Sequence, residues 1–223
     1  MKPDDWSLEV IVSEPFAENT YVAHLTGRRD CLVVDPGFDP EAIFRYLDGQ
    51  NLTPAAILNT HGHADHIAGN AAMKERWPEC PLVIGAGDVH LLTDAELNLS
   101  APFGFAITSP PADRTVRDND IFESAGFELE VREAPGHSSG HVVFLWKVAE
   151  PWVVFGGDVL FAGSIGRYDL PGGDAQQLVR SIHDKLFTLP DDTIVLPGHG
   201  EATTIGREKR TNPYVGQPAG YAF

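Results

Sequence analysis

The segment Asn59 to Asn70, NTHGHADHIAGN, places His61, His63, Asp65 and His66 within six consecutive positions, directly after the apolar run Ala55 to Leu58. A lone histidine in a loop between a strand and a helix is usually solvated or satisfied by a neighbour. Four good metal ligands together call for another explanation. In an extended segment side chains two apart point the same way, so His61 and His63 can close on one metal ion. Asp65 and His66, beyond the turn into a helix, can reach a second. A single helix cannot do this, because residues two apart on it face away from each other. Four ligands cannot fully dress two ions, so the fold must bring more of them to the same place.

Three further positions have the right setting: His137 in APGHSSGH, Asp158 in VVFGGDVLF and His199 in VLPGHG. Each follows an apolar strand and stands beside glycine, which lets the backbone turn sharply and approach a site. The division that follows is His61, His63 and His137 on one metal, Asp65, His66 and His199 on the other, and Asp158 bridging. A carboxylate suits the bridge, since each of its oxygens can hold one cation. Asp35, closing CLVVD, is a candidate to orient a ligand histidine, metal-bound imidazoles usually donating to such a partner; capping the DPG turn is its alternative role. His141 opens an apolar strand and is read as structural or as a support to the ligands. His24, His90 and His183 lie outside these motifs, and Asn119 in RDND reads as a turn residue.

Around these motifs the chain alternates strand-like and helix-like pieces. Strands are expected at Leu8 to Val12, Asn19 to Leu25, Cys31 to Asp35, Ala55 to Leu58, Leu82 to Ile84, Phe127 to Glu133, Val142 to Trp146, Trp152 to Phe155 and Thr193 to Leu196. Helices are expected at Asp39 to Gly49, Ile67 to Trp77, Gly87 to Glu96 and Asp174 to Phe187. Leu99 to Asp113, rich in proline and serine, reads as a long loop and a candidate lid or substrate wall. The pattern suggests two packed sheets with helices outside, in one α/β domain over residues 1–223.

Charge narrows the partners. Lys and Arg number 16 against 32 Asp and Glu, a formal charge of -16, which opposes non-specific binding to nucleic acid or an anionic membrane. The start, MKPDDWSLEV, lacks the basic flank and apolar core of a signal peptide, and no run nears the ~18 apolar residues of a membrane span. A cytoplasmic protein is expected. Two cysteines, Cys31 and Cys80, fit reduced thiols better than a disulfide framework.

HGHADH, APGHSSGH, GGDVLFAGSIGR and LPGHG, in this order, resemble the metallo-β-lactamase superfamily across essentially the whole chain, and more narrowly its glyoxalase II-like hydrolases. The resemblance implies a four-layer αβ/βα sandwich, two mixed sheets flanked by helices, with a dinuclear site at the sheet edges. It carries the ligand roles onto the seven residues assigned above. Two divalent metal ions follow, zinc foremost, with iron or manganese as alternatives. The implied chemistry is hydrolysis of a small acyl thioester such as S-lactoylglutathione, with Asp65 accepting a proton from the bridging water and Asp158 holding the two ions together. Asp158 stands where true β-lactamases carry Cys or Ser, which argues against antibiotic hydrolysis as the main activity.

Arg167 in SIGRYDL matches a basic substrate-binding position of glyoxalase II, whereas Asp169 and Glu201 stand where that family usually has tyrosines. The tail GHGEATTIGREKRTNPYV resembles compact members without the C-terminal helical domain that grips glutathione. A rival branch, the persulfide dioxygenases, resembles the chain in HADH, GRYD and KLFTLP, and uses one iron held at the equivalents of His61, His137 and Asp158. His199 in PGHG, where that branch differs, favours hydrolysis. A non-catalytic metal-binding or redox scaffold would need the same ligands but no open cleft. Nothing in the sequence fixes the oligomeric state.

Overall fold

Runs such as CLVV, AAIL and VVFLW lack the alternation of a half-exposed strand, and a strand apolar on both faces needs cover on both. A computed structural model describing residues 5–223 shows how that cover is supplied. The first four residues, part of the start read as lacking a signal peptide, lie outside the described residues. In one six-stranded sheet β1 (Trp6–Ser13), β2 (Glu18–Leu25), β3 (Asp30–Val34), β4 (Thr53–Asn59), β5 (Leu82–Gly85) and β6 (Arg114–Val116) lie side by side in chain order. β1 to β3 pair antiparallel and β3 to β6 pair parallel.

The second sheet contains β7 (Ile121–Ser124), β8 (Phe127–Glu133), β9 (Val142–Trp146), β10 (Val153–Gly157), β13 (Ile194–Pro197) and β14 (Thr203–Thr204), in the order β14-β13-β10-β9-β8-β7. A small hairpin, β11 (Leu160–Phe161) and β12 (Ser164–Ile165), stands apart from both.

Side-chain alternation sorts the core into layers. Leu32, Val34, Ala56 and Leu58 point between the sheets and meet Phe144, Trp146 and Phe155 from the other side. Cys31, Val33 and Ile57 point outward, against Ile43 and Leu47 of α1 (Pro40–Gln50) and Met73 of α3 (Asn70–Arg76). On the far side Val143, Leu145, Val154 and Val195 meet Leu178 of α4 (Ala175–Ser181), Ile182 and Leu186 of the wider π turn that extends it, and Ile205 of α5 (Ile205–Thr211). Each such aliphatic side chain contributes on the order of 1.5–3 kcal/mol by burial. Helix, sheet, sheet, helix is the expected αβ/βα sandwich. Among the described residues no helix is long and apolar enough to cross a membrane.

Local departures from the expected elements have local causes. The helix expected from Ile67 begins earlier, as α2 (Ala64–Ile67), and breaks before α3 at Gly69. There the chain passes against the Pro36–Gly37 turn, and a Cβ would stand 2.9 Å from the Gly37 carbonyl oxygen. Most of the helix expected at Gly87 to Glu96 is absent, with only a 3₁₀ turn at Val89–Leu91. Asp94 instead accepts from the N–H groups of Glu96 and Leu97, a local bond that competes with helix. β6, β7 and α5 carry too short or too polar a pattern to stand out in the sequence.

Candidate metal centre

Asp35 follows β3, His61 and His63 follow β4, His137 lies between β8 and β9, Asp158 follows β10, and His199 follows β13. The layering brings all these strand ends to one edge. There the Asn19 N–H, near the start of β2, donates to the Gly198 carbonyl across the two sheets at 2.7 Å. All seven predicted ligands converge. The ligating atoms of His61, His63 and His137 lie within 4.8 Å of one another, as do those of His61, His66 and Asp158, and those of Asp65, His66 and His199. Asp158 stands between the groups: Oδ1 is 3.4 Å from His66 Nε2, while Oδ2 is 3.5 Å from His137 Nε2 and 3.4 Å from His199 Nε2. His63 Nδ1 and His137 Nε2 face each other at 2.9 Å.

The outer nitrogens of four rings are fixed by acceptors. His137 Nδ1 donates to the Arg167 carbonyl at 2.7 Å and His199 Nδ1 to the Phe16 carbonyl at 3.1 Å. His66 Nδ1 donates to Asp35 Oδ2 at 3.1 Å. The same carboxylate oxygen accepts from the Thr60 hydroxyl at 2.7 Å, and that hydroxyl in turn lies 3.1 Å from His61 Nδ1. With Nδ1 holding the proton, a neutral imidazole turns its Nε2 lone pair to the centre. Asp35 thus holds the candidate ligand His66 directly and His61 through Thr60, rather than merely capping its turn.

Polar atoms are left over where an ion would sit. His61 Nε2, His66 Nε2 and Asp158 Oδ1 are buried without a hydrogen-bond partner, an arrangement that costs free energy unless something satisfies them. Gly198 keeps the space open, since a Cβ there would lie 2.2 Å from Asp158 Oδ1 and 2.5 Å from His66 Cε1.

Electrostatics point the same way. Burial and the neighbouring His66 hold His61 neutral, and burial with His137 beside it drops His63 to about 3. His66 is buried too, yet Asp65 and Asp158 outweigh that and raise it to about 10; hydrogen bonds to Asp158 and Asp65 lift His199 to about 11 against its own burial. Burial opposes ionisation of Asp158, but His66 and the other imidazoles hold it well below the usual carboxylate range. Carboxylates that pull two imidazoles so far toward the protonated form mark a site short of positive charge, which a cation on the Nε2 lone pairs would supply in the proton's place. The residues fit divalent cations.

Three supports went unnoticed in the sequence. Asp88 is fully buried: Oδ2 accepts from the Ser138 hydroxyl at 2.6 Å and the Gly62 N–H at 3.2 Å, and Oδ1 from the Gly140 N–H at 2.6 Å. One carboxylate so ties the His61/His63 loop to the His137 loop. Asn59 donates to the His66 carbonyl at 2.9 Å, and Thr60 relays Asp35 to His61. Asp88 did leave a signal, since VIGAGD repeats the strand–glycine–Asp pattern of VVFGGD. His141 proves a support: its Nε2 accepts from the Asp158 N–H at 3.1 Å while its ring stacks on His61. Arg167 lines the cavity over the centre, but its guanidinium forms a bidentate pair with Asp169, 3.0 Å on both arms, and both side chains are exposed.

An αβ/βα sandwich with histidines and carboxylates gathered at one sheet edge defines a metal-binding class. The chain belongs to the metallo-beta-lactamase superfamily, whose family model matches residues 13–199. It is 40% identical over 202 residues to the probable metallo-hydrolase YqgX of Bacillus subtilis, covering 90% of this chain and 93% of the relative. It is 34% identical to the hydroxyacylglutathione hydrolase GloC of Haemophilus influenzae, covering 94% and 98%. Among solved structures it is similar to the BLEG-1 B3 metallo-beta-lactamase (39% identity, TM-score 0.89, 94% and 99% covered) and to TTHA1623 in a di-iron-bound form (37%, 0.81, 92% and 99%). ETHE1 from Myxococcus xanthus is more distant, at 28% identity, TM-score 0.77 and 95% and 85% covered.

Proposed function

We propose that this protein is a metal-dependent hydrolase of thioesters, S-lactoylglutathione or a related compound, working at a centre of two divalent cations with zinc the expected metal and iron or manganese the alternatives. The observation that supports the reading is the placement of Asp158 between the two groups of ligands, Oδ1 facing His66 of one group while Oδ2 faces His137 of the other as well as His199. The likeness to GloC, over 94% of the chain, supports the thioester. His61, His63 and His137 would hold one ion, Asp65, His66 and His199 the other. When bound, the ions would bring a shared water's pKa to about 7 and polarise the substrate carbonyl.

The chain's own residues have definite parts in this. Asp65, held below the ordinary carboxylate range by His66 and His199 despite its burial, stays ionised to accept the proton of the attacking water. Its side chain is 20% exposed and that of His199 27%, so this pair faces the cavity where substrate enters. The water oxygen bonds to the acyl carbon, the C–S bond breaks, and the sulfur leaves as a thiolate of pKa near ~8.5, so no acid from the chain is needed. Neither cysteine serves as a nucleophile, both being buried. The centre is expected to act on a small molecule, in the cytoplasm, and not on nucleic acid or a membrane.

The motif resemblance to persulfide dioxygenases and the likeness to ETHE1 favour a second reading, in which one iron at His61, His137 and Asp158 suffices. Metal-replete protein should be assayed on S-lactoylglutathione, simpler thioesters, glutathione persulfide with oxygen uptake followed, and, given the likeness to BLEG-1, a β-lactam. Thioester cleavage without oxygen uptake, lost in His199→Ala, is the expected result. Oxygen uptake exceeding thioester cleavage, or a fully active His199→Ala, would give the dioxygenase reading the field.

A further inference from the structure

The cavity over the metal centre has a volume of about 350 Å³, and its outer wall is aromatic. Phe103, Phe16, Phe38 and Phe105 form a continuous arc, with ring centroids 5.5, 5.8 and 5.5 Å apart in that order. Phe16 belongs to the turn between β1 and β2, Phe38 to the loop after β3, and Phe103 and Phe105 to the long loop before β6. The arc is fastened to the centre: the Phe16 carbonyl accepts from His199 Nδ1, and Phe161 closes the same side, 6.2 Å from the His199 ring.

The long loop is a built wall. Its base is buried and cross-tied, Asn98 Nδ2 donating to the Ile107 carbonyl at 2.9 Å, the Ser100 hydroxyl to Asn98 Oδ1 at 2.7 Å, and the Ala64 N–H to the Asn98 carbonyl at 2.9 Å. From this base the tip holds Phe103 and Phe105 at the cavity, still 59% and 38% exposed. Exposed phenylalanines clustered over a cavity are apolar surface waiting for cover.

Charge separates the possible occupants. Arg167 is the one Lys or Arg among the described residues lining the cavity, and Asp169 already neutralises it. Asp65 and Asp158 on the floor are taken up by the proposed ions, so beyond the centre itself the lining offers an anion no further Lys or Arg among the described residues, in a chain whose formal charge is -16. A thiol that brings several carboxylates finds little to receive them; an uncharged apolar group finds four rings.

We infer that the aromatic wall selects thioesters bearing an apolar aryl or alkyl group, of about six carbons, over those of a polyanionic thiol such as glutathione. This rests on the thioesterase reading above and, among the thioesters it allows, sets apolar ones ahead of S-lactoylglutathione. The apolar group can belong to either the acyl or the thiol half, since both extend from the carbonyl into the same cavity.

The test uses metal-replete protein and two substrate series. One varies the acyl group on N-acetylcysteamine (acetyl, hexanoyl, benzoyl); the other varies the thiol of thioacetates (ethyl, hexyl, benzyl), with S-lactoylglutathione as the anionic reference. In at least one series kcat/KM should rise about tenfold or more from the smallest to the six-carbon member, the usual range for an apolar pocket. In the Phe103→Ala/Phe105→Ala variant that ratio should fall to within about threefold. The series that responds identifies which half of the substrate meets the wall. Flat series in the wild type, a ratio that survives the double substitution, or a preference for S-lactoylglutathione would overturn the inference.

Calorimetry with N-acetyl-S-hexylcysteamine, a thioether that cannot be hydrolysed, separates this idea from the reading beneath it. Binding that weakens about tenfold or more in the double variant supports the wall even if no thioester is turned over, the outcome that sinks the hydrolase reading. Equal binding to both proteins, or to neither, refutes the wall even if thioesters are cleaved.

Discussion

Replacing Asp88 by Asn tests whether one buried carboxylate holds the two halves of the centre together. Three donors converge on it, the Ser138 hydroxyl, the Gly62 N–H and the Gly140 N–H, at 2.6, 3.2 and 2.6 Å. Asn offers one acceptor oxygen and one NH₂ group in the same space. If the oxygen stays with Gly140, the Ser138 hydroxyl can rotate to accept, but the Gly62 N–H is left facing a donor. In the opposite orientation the Gly140 N–H is orphaned. Either way one buried N–H is stranded, at about 1–3 kcal/mol, and the surviving bonds lose their charge assistance.

Unfolding of metal-free Asp88→Asn by urea should therefore show a loss of about 2–3 kcal/mol, and Asp88→Ala, which strands all three donors, a larger one. Because Gly62 lies between His61 and His63, and Ser138 follows His137, metal affinity should also fall about 10–100-fold, the usual effect of removing a support to metal ligands. A chelator-competition titration reads it. An Asp88→Asn protein with wild-type stability and affinity would show that the two loops hold themselves, and the clamp would have to be abandoned.

Other residues make separate demands. Asp158→Asn should fold normally yet drop metal content from about two ions per chain to below one and abolish turnover, checked by metal analysis and thioesterase assay; an active, fully loaded variant would remove the bridge. Cys31, whose thiol burial pushes up to about 12, keeps its proton in the native state over a range where the unfolded chain releases it. Stability should accordingly fall as pH rises from about 9 to about 12, and Cys31→Val should flatten that slope in pH-resolved thermal melts. Asp169→Ala should free the Arg167 guanidinium and lower KM for anionic thioesters while sparing neutral ones. Steady-state kinetics showing equal losses for both kinds would make the pair a loop fastener only.

Much of the fold was legible because both periodicities were strong. CLVV, AAIL and VVFLW are apolar on both faces, and the structure covers both, with the opposite sheet on one side and helices on the other. What stayed hidden was decided by contacts distant in sequence. Gly69 in IAGNAA is a weak point that a helix tolerates; the break falls there because the Pro36–Gly37 turn passes close by and the Pro36 carbonyl takes the Gly69 N–H. β6 and β7, three and four residues long, owe their existence to the strand beside them rather than to their own pattern.

The site divides along a similar line. Candidate ligands could be read because four such side chains crowded into six positions, and three more beside glycine after apolar strands, have few other reasons to recur, and all seven positions meet at one edge. Supporting residues lack that privilege: Asp88, Thr60 and Asn59 act through hydrogen bonds to backbone or to another side chain, which Asp, Thr and Asn make in any loop. Specificity is harder still to read, because it depends on how loops are set against one another. Phe16, Phe38, Phe103 and Phe105 come from three separate loops, and each alone reads as an ordinary aromatic. Only the setting of these three loops along one edge of the first sheet lines them up, beside a guanidinium already taken by Asp169. The chemistry of the floor is thus written in short motifs, while the choice of substrate is written in the spacing between them, and change in the long loop can retune selectivity without touching a ligand.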